Sequence, residues 1–168
     1  CDKDYSQYVK IKRDDDDEHG VPFSDADLKI LWDNKTNETA EMLLIMCYSG
    51  WRISEYIGLE VNLQKKYFMG GIKTEAGKGR IVPIHSGILP LVERRISKYG
   101  KLLPCSDKDF RKQMDELLNR LGIPGDPKHT PHDCRHTFSM LCEKYEVKEN
   151  DRKRMMGHSF KADITNKV

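Results

Sequence analysis

The sequence predicts a mainly α-helical α+β domain that contains a small three-stranded antiparallel sheet. Three observations lead to this fold class. Apolar residues recur at helical spacing on both sides of one central stretch. That stretch, residues 59–84, has short apolar runs around a glycine-rich turn, as strands do. The 168 residues, 38% hydrophobic and 33% charged, suit one well-solvated domain and include no apolar run near the length that spans a bilayer.

The N-terminal part is predicted to contain a linker and two helices. Residues 1–22 are polar, hold five consecutive acids and end in Gly-Val-Pro, which is typical of a linker. Ser24 and Asp27 have the spacing of a capping box, which predicts the start of a helix. A second helix is predicted at about 38–49. It is so apolar that we expect it in the centre of the core, and Gly50 is expected to end it.

The middle of the chain is predicted to form a β-meander. A short helix from about Ile53 to Gly58 leads into it. The first strand is predicted within residues 61–68, the second at 72–74 and the third at 80–84, with a glycine-rich turn between the last two.

The C-terminal half is predicted to be helical again. One helix ends at Gly100, and Ser106 is expected to cap the next, whose apolar residues repeat at helical spacing until Gly122. The remaining elements are, in order, helices at about 132–145 and 149–156 and a turn that begins near Asp163.

The charge distribution permits a nucleic-acid partner. Lys and Arg number 29 against 27 Asp and Glu, but without the five acids at 14–18 the remaining chain carries a net +7. Such a basic part is compatible with nucleic-acid binding and equally with lysines that only solvate the surface. The five cysteines include no Cys-x-x-Cys pair, which favours a reducing, intracellular compartment.

Two features in the first half of the chain carry candidate chemistry. Arg52 follows the helix stop at Gly50, and Glu55, three residues later, can hold its guanidinium in place. Lys73 leads into the glycine-rich turn, from which a lysine can reach a DNA groove and donate a proton to a leaving oxygen. Taken singly, each feature is also typical of an exposed ion pair or a solvated hairpin.

Two further features lie in the second half. His132 and Arg135 are three residues apart on a predicted helix, so they share a face on which both can meet one phosphate. An arginine fork matches two phosphate oxygens at once and stays charged at any working pH. His158 lies on the turn after the helix stop at Gly157. We expect His136 to pack or to cap.

A metal site is the alternative interpretation of the same segment. The candidate ligands are His129, His132, Cys134 and His136. The i, i+4 spacing of two of the histidines favours it. Against it, Cys134 points to another face of the predicted helix, and no second ligand pair occurs elsewhere in the sequence.

In their order and spacing these motifs closely resemble the catalytic domain of tyrosine recombinases, the phage and transposon integrase family. The resemblance covers roughly residues 22–168. The motifs are Ser-Gly-x-Arg-x-Ser-Glu at 49–55, a hairpin lysine before a Gly-x-Val-Pro-Ile-like sequence, Thr-Pro-His-x-x-Arg-His-Thr-Phe at 130–138, and Gly-His-Ser at 157–159.

The resemblance implies a role for each candidate residue. Arg52 and Arg135 would clamp the scissile phosphate, and Lys73 would protonate the departing 5′-oxygen; these three would also contact DNA. His132 would handle a proton near the nucleophile, and His158 would hydrogen-bond the phosphate. The supporting acid, which holds Arg52, would be Glu55.

The nucleophile of this family is a tyrosine nine to eleven residues past the last histidine. No tyrosine lies between His158 and Val168, and the last tyrosine of the chain, Tyr145, does not match that position. We therefore expect a tyrosine immediately after Val168. Residues 1–22 would be the linker from a missing N-terminal DNA-binding domain, and 23–168 a catalytic domain truncated before its nucleophile.

The implied function is site-specific DNA recombination, the integration or excision of a phage or mobile element through a 3′-phosphotyrosyl intermediate. It requires no metal, cofactor or ATP. The implied partners are double-stranded recombination sites, three further copies in a tetramer on DNA, and accessory DNA-bending or excision factors. The implied location is the cytoplasm of a bacterial host, without a membrane partner. This fragment alone is expected to bind DNA weakly and to cleave nothing.

Three alternatives remain open. A type IB topoisomerase shares the active-site logic but relaxes supercoils instead of exchanging strands. A catalytically dead relic would bind DNA and never form a covalent adduct. A metal-binding module around residues 129–136 would contain stoichiometric metal.

Overall fold

The computed structural model describes residues 20–71 and 79–158. It confirms a mainly helical domain with one small antiparallel sheet. In chain order, the helices are α1 (Asp25–Asp33), α2 (Glu38–Cys47), a 3₁₀ helix (Ile53–Gly58), α3 (Leu89–Tyr99), α4 (Asp107–Leu121), α5 (Pro131–Lys144) and α6 (Glu149–Met156). No helix in the described ranges is both long and apolar enough to cross a bilayer.

Local signals set most helix ends. The Ser24 hydroxyl accepts from the Asp27 amide at 3.1 Å, and the Asp27 carboxylate accepts from the Ser24 amide at 3.4 Å, which confirms the capping box. Gly50, Gly100 and Gly122 all have positive φ angles just after a helix, a conformation that glycine adopts at little cost. These local signals explain why the predicted helices agree with the structure.

The sheet differs in detail from its prediction. Its strands are β1 (Glu60–Asn62), β2 (Tyr67–Gly70) and β3 (Arg80–Pro83), antiparallel in the order β1-β2-β3. The single strand predicted within residues 61–68 is wrong, because a turn separates β1 from β2 there. In that turn the Lys65 amide donates to the Asn62 side chain at 2.8 Å, and Lys66 has a φ of 61°. The strand predicted at 72–74, the acid run and the turn near residue 163 lie outside the described residues.

Helix α2 forms the centre of the core, as its composition predicts. Every residue from Ala40 to Cys47 is buried, and helices α1, α3, α4 and α5 all pack against it. Because α2 ends five residues before Arg52, the rigid core fixes the starting point of the candidate site.

Candidate active site

Arg135 lies at the centre of the candidate site and bridges two distant segments. On helix α5 its side chain is 1% exposed. Its Nη1 donates to the Gly50 carbonyl at 2.7 Å, and its Nη2 donates to the Met156 carbonyl at 2.6 Å. One guanidinium therefore holds the segment just after α2 next to the end of α6. Charged hydrogen bonds of this kind are among the stronger ones in proteins.

Arg52 directly precedes the 3₁₀ helix and lies two residues after Gly50. Its backbone amide donates to Glu55 Oε1 at 3.1 Å, and its Nη1 lies 3.7 Å from the same oxygen. The Arg52 side chain is 13% exposed, so it retains an open edge, and its Nε, which is buried, makes no hydrogen bond to any described residue. A guanidinium held in this way has donors left for an anion.

Glu55 is bound more closely by an arginine that sequence reasoning overlooked. Arg80 Nη1 donates to Glu55 Oε2 at 3.0 Å, and Arg80 Nη2 donates to Oε1 at 3.1 Å, a bidentate pair. The prediction that Glu55 supports Arg52 therefore needs a refinement, because Glu55 serves both arginines and its shorter contacts go to Arg80. The sequence indicates Arg80 only as the start of a strand, and the separation of 25 positions from Glu55 explains why local spacing gives no signal.

The electrostatics of this cluster favour an anion. Burial raises the pKa of the Glu55 carboxyl, but the hydrogen bonds and charge of Arg80, with a smaller contribution from Arg52, outweigh it, and the net pKa is lowered. Burial lowers the pKa of Arg80, and Glu55 partly offsets the effect. Glu55 thus stays ionised. The cluster then has one negative carboxylate and three positive guanidinium groups, those of Arg52, Arg80 and Arg135, so its net charge is positive.

His158 lies directly after helix α6. Gly157 ends that helix with a φ of 72°, and the His158 amide donates to the Lys153 carbonyl at 2.9 Å, which is a typical glycine-terminated helix end. The Met156 carbonyl that binds Arg135 is only two residues before His158. Arg135 therefore links the backbone two residues before Arg52 with the backbone two residues before His158.

His132 and His136 lie on α5 with their ring centroids 5.0 Å apart, edge to face. Both are partly buried. Gly20 crosses directly over His136, because a methyl group at Gly20 would come within 2.1 Å of the ring carbon Cδ2. His136 is therefore a packing residue, as expected from the sequence.

The candidate metal ligands have other contacts. His129 Nδ1 lies 2.7 Å from Asp133 Oδ2, and the His129 ring stacks on Phe23 with centroids 4.1 Å apart. Cys134 is fully buried beside Cys47, and burial raises the pKa of its thiol. Within residues 20–71 and 79–158, no group of three His, Cys, Asp or Glu residues has the geometry to hold a metal.

Two parts of the predicted site cannot be placed. Lys73 and the segment after His158 lie outside the described residues. Among the tyrosines that are described, Tyr56 is buried against Ser49, with 2.6 Å between the hydroxyl oxygens, and burial strongly raises its pKa. Tyr145 follows helix α5 at the surface.

Solved structures share this fold. The crystal structure of XerA recombinase matches with a TM-score of 0.72 and 20% identity, over 88% of this chain and 58% of that one. The Tn1549 transposon integrase, solved in complex with circular intermediate DNA, matches with a TM-score of 0.68 and 18% identity, over 87% of this chain and 60% of that one. At such identities the likeness establishes the fold alone.

Sequence comparison establishes the family. Residues 23–166 match the model of the phage integrase family, and the chain belongs to that family. Tyrosine recombinase XerC of Bradyrhizobium diazoefficiens is 30% identical over 116 residues, which are 60% of this chain and 36% of that protein. The chain thus spans little more than a third of the length of this curated relative.

Proposed function

We propose that this chain is the catalytic domain of a site-specific recombinase. The whole protein would cut and rejoin DNA through a 3′-phosphotyrosyl intermediate, in the integration or excision of a phage or mobile element. The observation that carries the proposal is the bridge from Arg135 to the carbonyls of Gly50 and Met156. This bridge supports a phosphate site between the open edge of Arg52 and the turn of His158, because each lies two residues from a carbonyl that Arg135 binds.

The chemistry follows from this arrangement. Arginine forks at the non-bridging oxygens stabilise the charge that accumulates when a tyrosine attacks the phosphorus in line. The proposal assigns His158 to the same oxygens, His132 to proton handling near the nucleophile, and Lys73 to protonation of the departing 5′-oxygen. The free 5′-hydroxyl then attacks a partner strand's phosphotyrosyl link. The energy of the phosphodiester bond is kept in that link throughout.

The proposed partner is double-stranded DNA with recombination sites. Support comes from family membership and from the net +7 of the chain without its acid run. We include in the proposal a tetramer on two sites, accessory DNA-bending or excision factors, and action in the bacterial cytoplasm. The tyrosine past Val168 also remains a prediction.

Covalent trapping tests the proposal. The coding sequence is extended past Val168, and the product is incubated with a nicked duplex that carries a candidate site. We expect a protein–DNA adduct that resists denaturant. Arg52→Ala should reduce its rate of formation about 100-fold or more, the size of effect seen when one transition-state donor is lost.

Arg111→Ala is the matched control for lost charge. Arg111 is a half-exposed arginine on α4 that pairs with Asp107 at 2.6 Å, one turn away on the same helix. Its loss should leave trapping unchanged. DNA binding without any adduct would replace the proposal with the binding-only protein, and relaxation of supercoiled plasmid without strand exchange would replace it with a topoisomerase.

A further inference from the structure

We propose that Arg80 is a positioning residue of the phosphate site, which sets the placement of Arg52 through Glu55 and that of His158 through the Met155 carbonyl. The inference rests on the proposed function, because it gives Arg80 a purpose in the same site. It gives a role to a residue to which the resemblance assigns none.

The contact with Glu55 connects Arg80 to Arg52. The Glu55 carboxylate is fully buried and receives both Nη groups of Arg80, at 3.0 and 3.1 Å. Its Oε1 also accepts from the Arg52 amide and lies 3.7 Å from Arg52 Nη1. Two parallel bonds fix the plane of a carboxylate, which one bond cannot do. Arg80 thus fixes the group against which Arg52 is oriented.

The contact with α6 connects Arg80 to His158. Arg80 Nε donates to the Met155 carbonyl at 2.9 Å, and Arg135 donates to the next carbonyl, Met156. A helix of eight residues has little stability of its own, so its end is placed by such tertiary contacts. Two guanidinium groups on consecutive carbonyls therefore set where the turn with His158 begins.

The remaining surface of Arg80 is also engaged. Its guanidinium stacks on the Trp51 ring, with Cζ 4.1 Å from the centroid. Trp51 directly precedes Arg52. A lysine would keep the positive charge beside Glu55. It cannot make the two parallel hydrogen bonds to Glu55, the hydrogen bond to the Met155 carbonyl and the stacking on Trp51 at the same time. Arg80→Lys therefore separates geometry from charge.

The salt dependence of DNA binding measures the positioning. The binding constant K falls as salt rises, and each phosphate contact adds about 0.9 to the steepness of log K against log salt concentration, called here the slope. If Arg80 positions Arg52, Arg80→Lys should lower the slope by about 0.9 although no charge is lost. Arg52→Ala should lower it by the same amount, and the double variant should show no further loss, because both changes remove one contact.

Arg95→Lys is the matched control. Arg95 on α3 is a buried arginine with the same kinds of partner, since its Nη1 donates to Glu41 at 3.2 Å and its Nε donates to the Leu102 carbonyl at 2.7 Å. It lies outside the candidate site. Arg95→Lys should lower the melting temperature to a similar degree and leave the salt slope at the wild-type value.

Two outcomes would overturn the inference. One is a wild-type slope in Arg80→Lys, and the other is a double variant with Arg52→Ala in which the two reductions in slope add. If Arg80→Lys does not fold, Glu55→Gln/Arg80→Gln, which removes both charges of the bidentate pair together, replaces it with the same expected slopes.

A second readout separates this inference from the proposed function. The ring resonances of His158, followed by NMR without DNA, should move in Arg80→Lys and stay in place in Arg95→Lys. If the wild-type chain binds no DNA, the proposed function fails, and the histidine spectrum alone decides the inference. Unmoved His158 resonances in Arg80→Lys would then refute it.

Discussion

Replacement of Gly50 by alanine should destabilise the protein more than the same change at other helix ends. Gly50 has a φ of 75°, where a side chain costs roughly 1–2 kcal/mol. A methyl group there would also come within 2.3 Å of Phe138 Cδ2 and 2.7 Å of its Cγ. Overpacking of this kind costs about 1–3 kcal/mol. Because Cγ cannot move without the ring or helix α5, we expect a total loss of about 2–5 kcal/mol.

Gly100→Ala is the control. Gly100 has a φ of 71°, and a methyl group there would meet nothing within 4 Å. Only the backbone cost of roughly 1–2 kcal/mol should appear. Urea unfolding with linear extrapolation measures both losses. The difference isolates the contact with Phe138, and equal losses in the two variants would refute the steric reasoning. Arg135 binds the Gly50 carbonyl, so Gly50→Ala should weaken DNA binding as well.

Three further predictions concern single groups. The lowered pKa of Glu55 stabilises the fold fully above its unfolded value of 4.5, and this contribution is lost as pH falls through the folded pKa. The gap in unfolding free energy between wild type and Glu55→Gln should therefore narrow as the pH falls below 4.5 and through the folded pKa; a constant gap would contradict this. Burial raises the pKa of Cys142 to about 11. About one thousandth of its thiol is then ionised at pH 8, so mass mapping should show alkylation by iodoacetamide far slower than that of glutathione. The Asn37 side chain accepts from the Thr39 and Ala40 amides at 2.9 and 3.1 Å. Asn37→Ala should cost about 1 kcal/mol by urea unfolding, whereas exposed Lys35→Ala should cost almost nothing.

The helices could be predicted from the sequence because their ends are set locally. The Ser24–Asp27 box and the glycines after α2, α3 and α4 act within a few residues of the chain. The turn between β1 and β2 was missed because it contains no glycine or proline. Lys66 adopts the left-handed conformation there instead, and Asn62 caps the turn. A non-glycine residue in that conformation leaves little trace in a sequence.

The motifs indicated which residues to expect in the site but not the distant contacts that build it. Arg135 does bind the backbone two residues before Arg52. The Arg52–Glu55 pair was expected from its i, i+3 spacing, yet the closer partner of Glu55 comes from β3. The bond from Arg80 to the Met155 carbonyl spans 75 residues. Such contacts depend on the packed fold, and no local pattern encodes them.

Arg135 is anchored twice to the backbone and almost fully enclosed, whereas Arg52 keeps an open edge. A substitution at Arg135 should therefore destabilise the fold itself, with or without DNA. Selection for a folded chain alone would preserve Arg135 over evolutionary time, even in a descendant that no longer cuts DNA. Arg52, with fewer structural bonds, would drift sooner. Its survival in a homologue is therefore the stronger sign that activity has been retained.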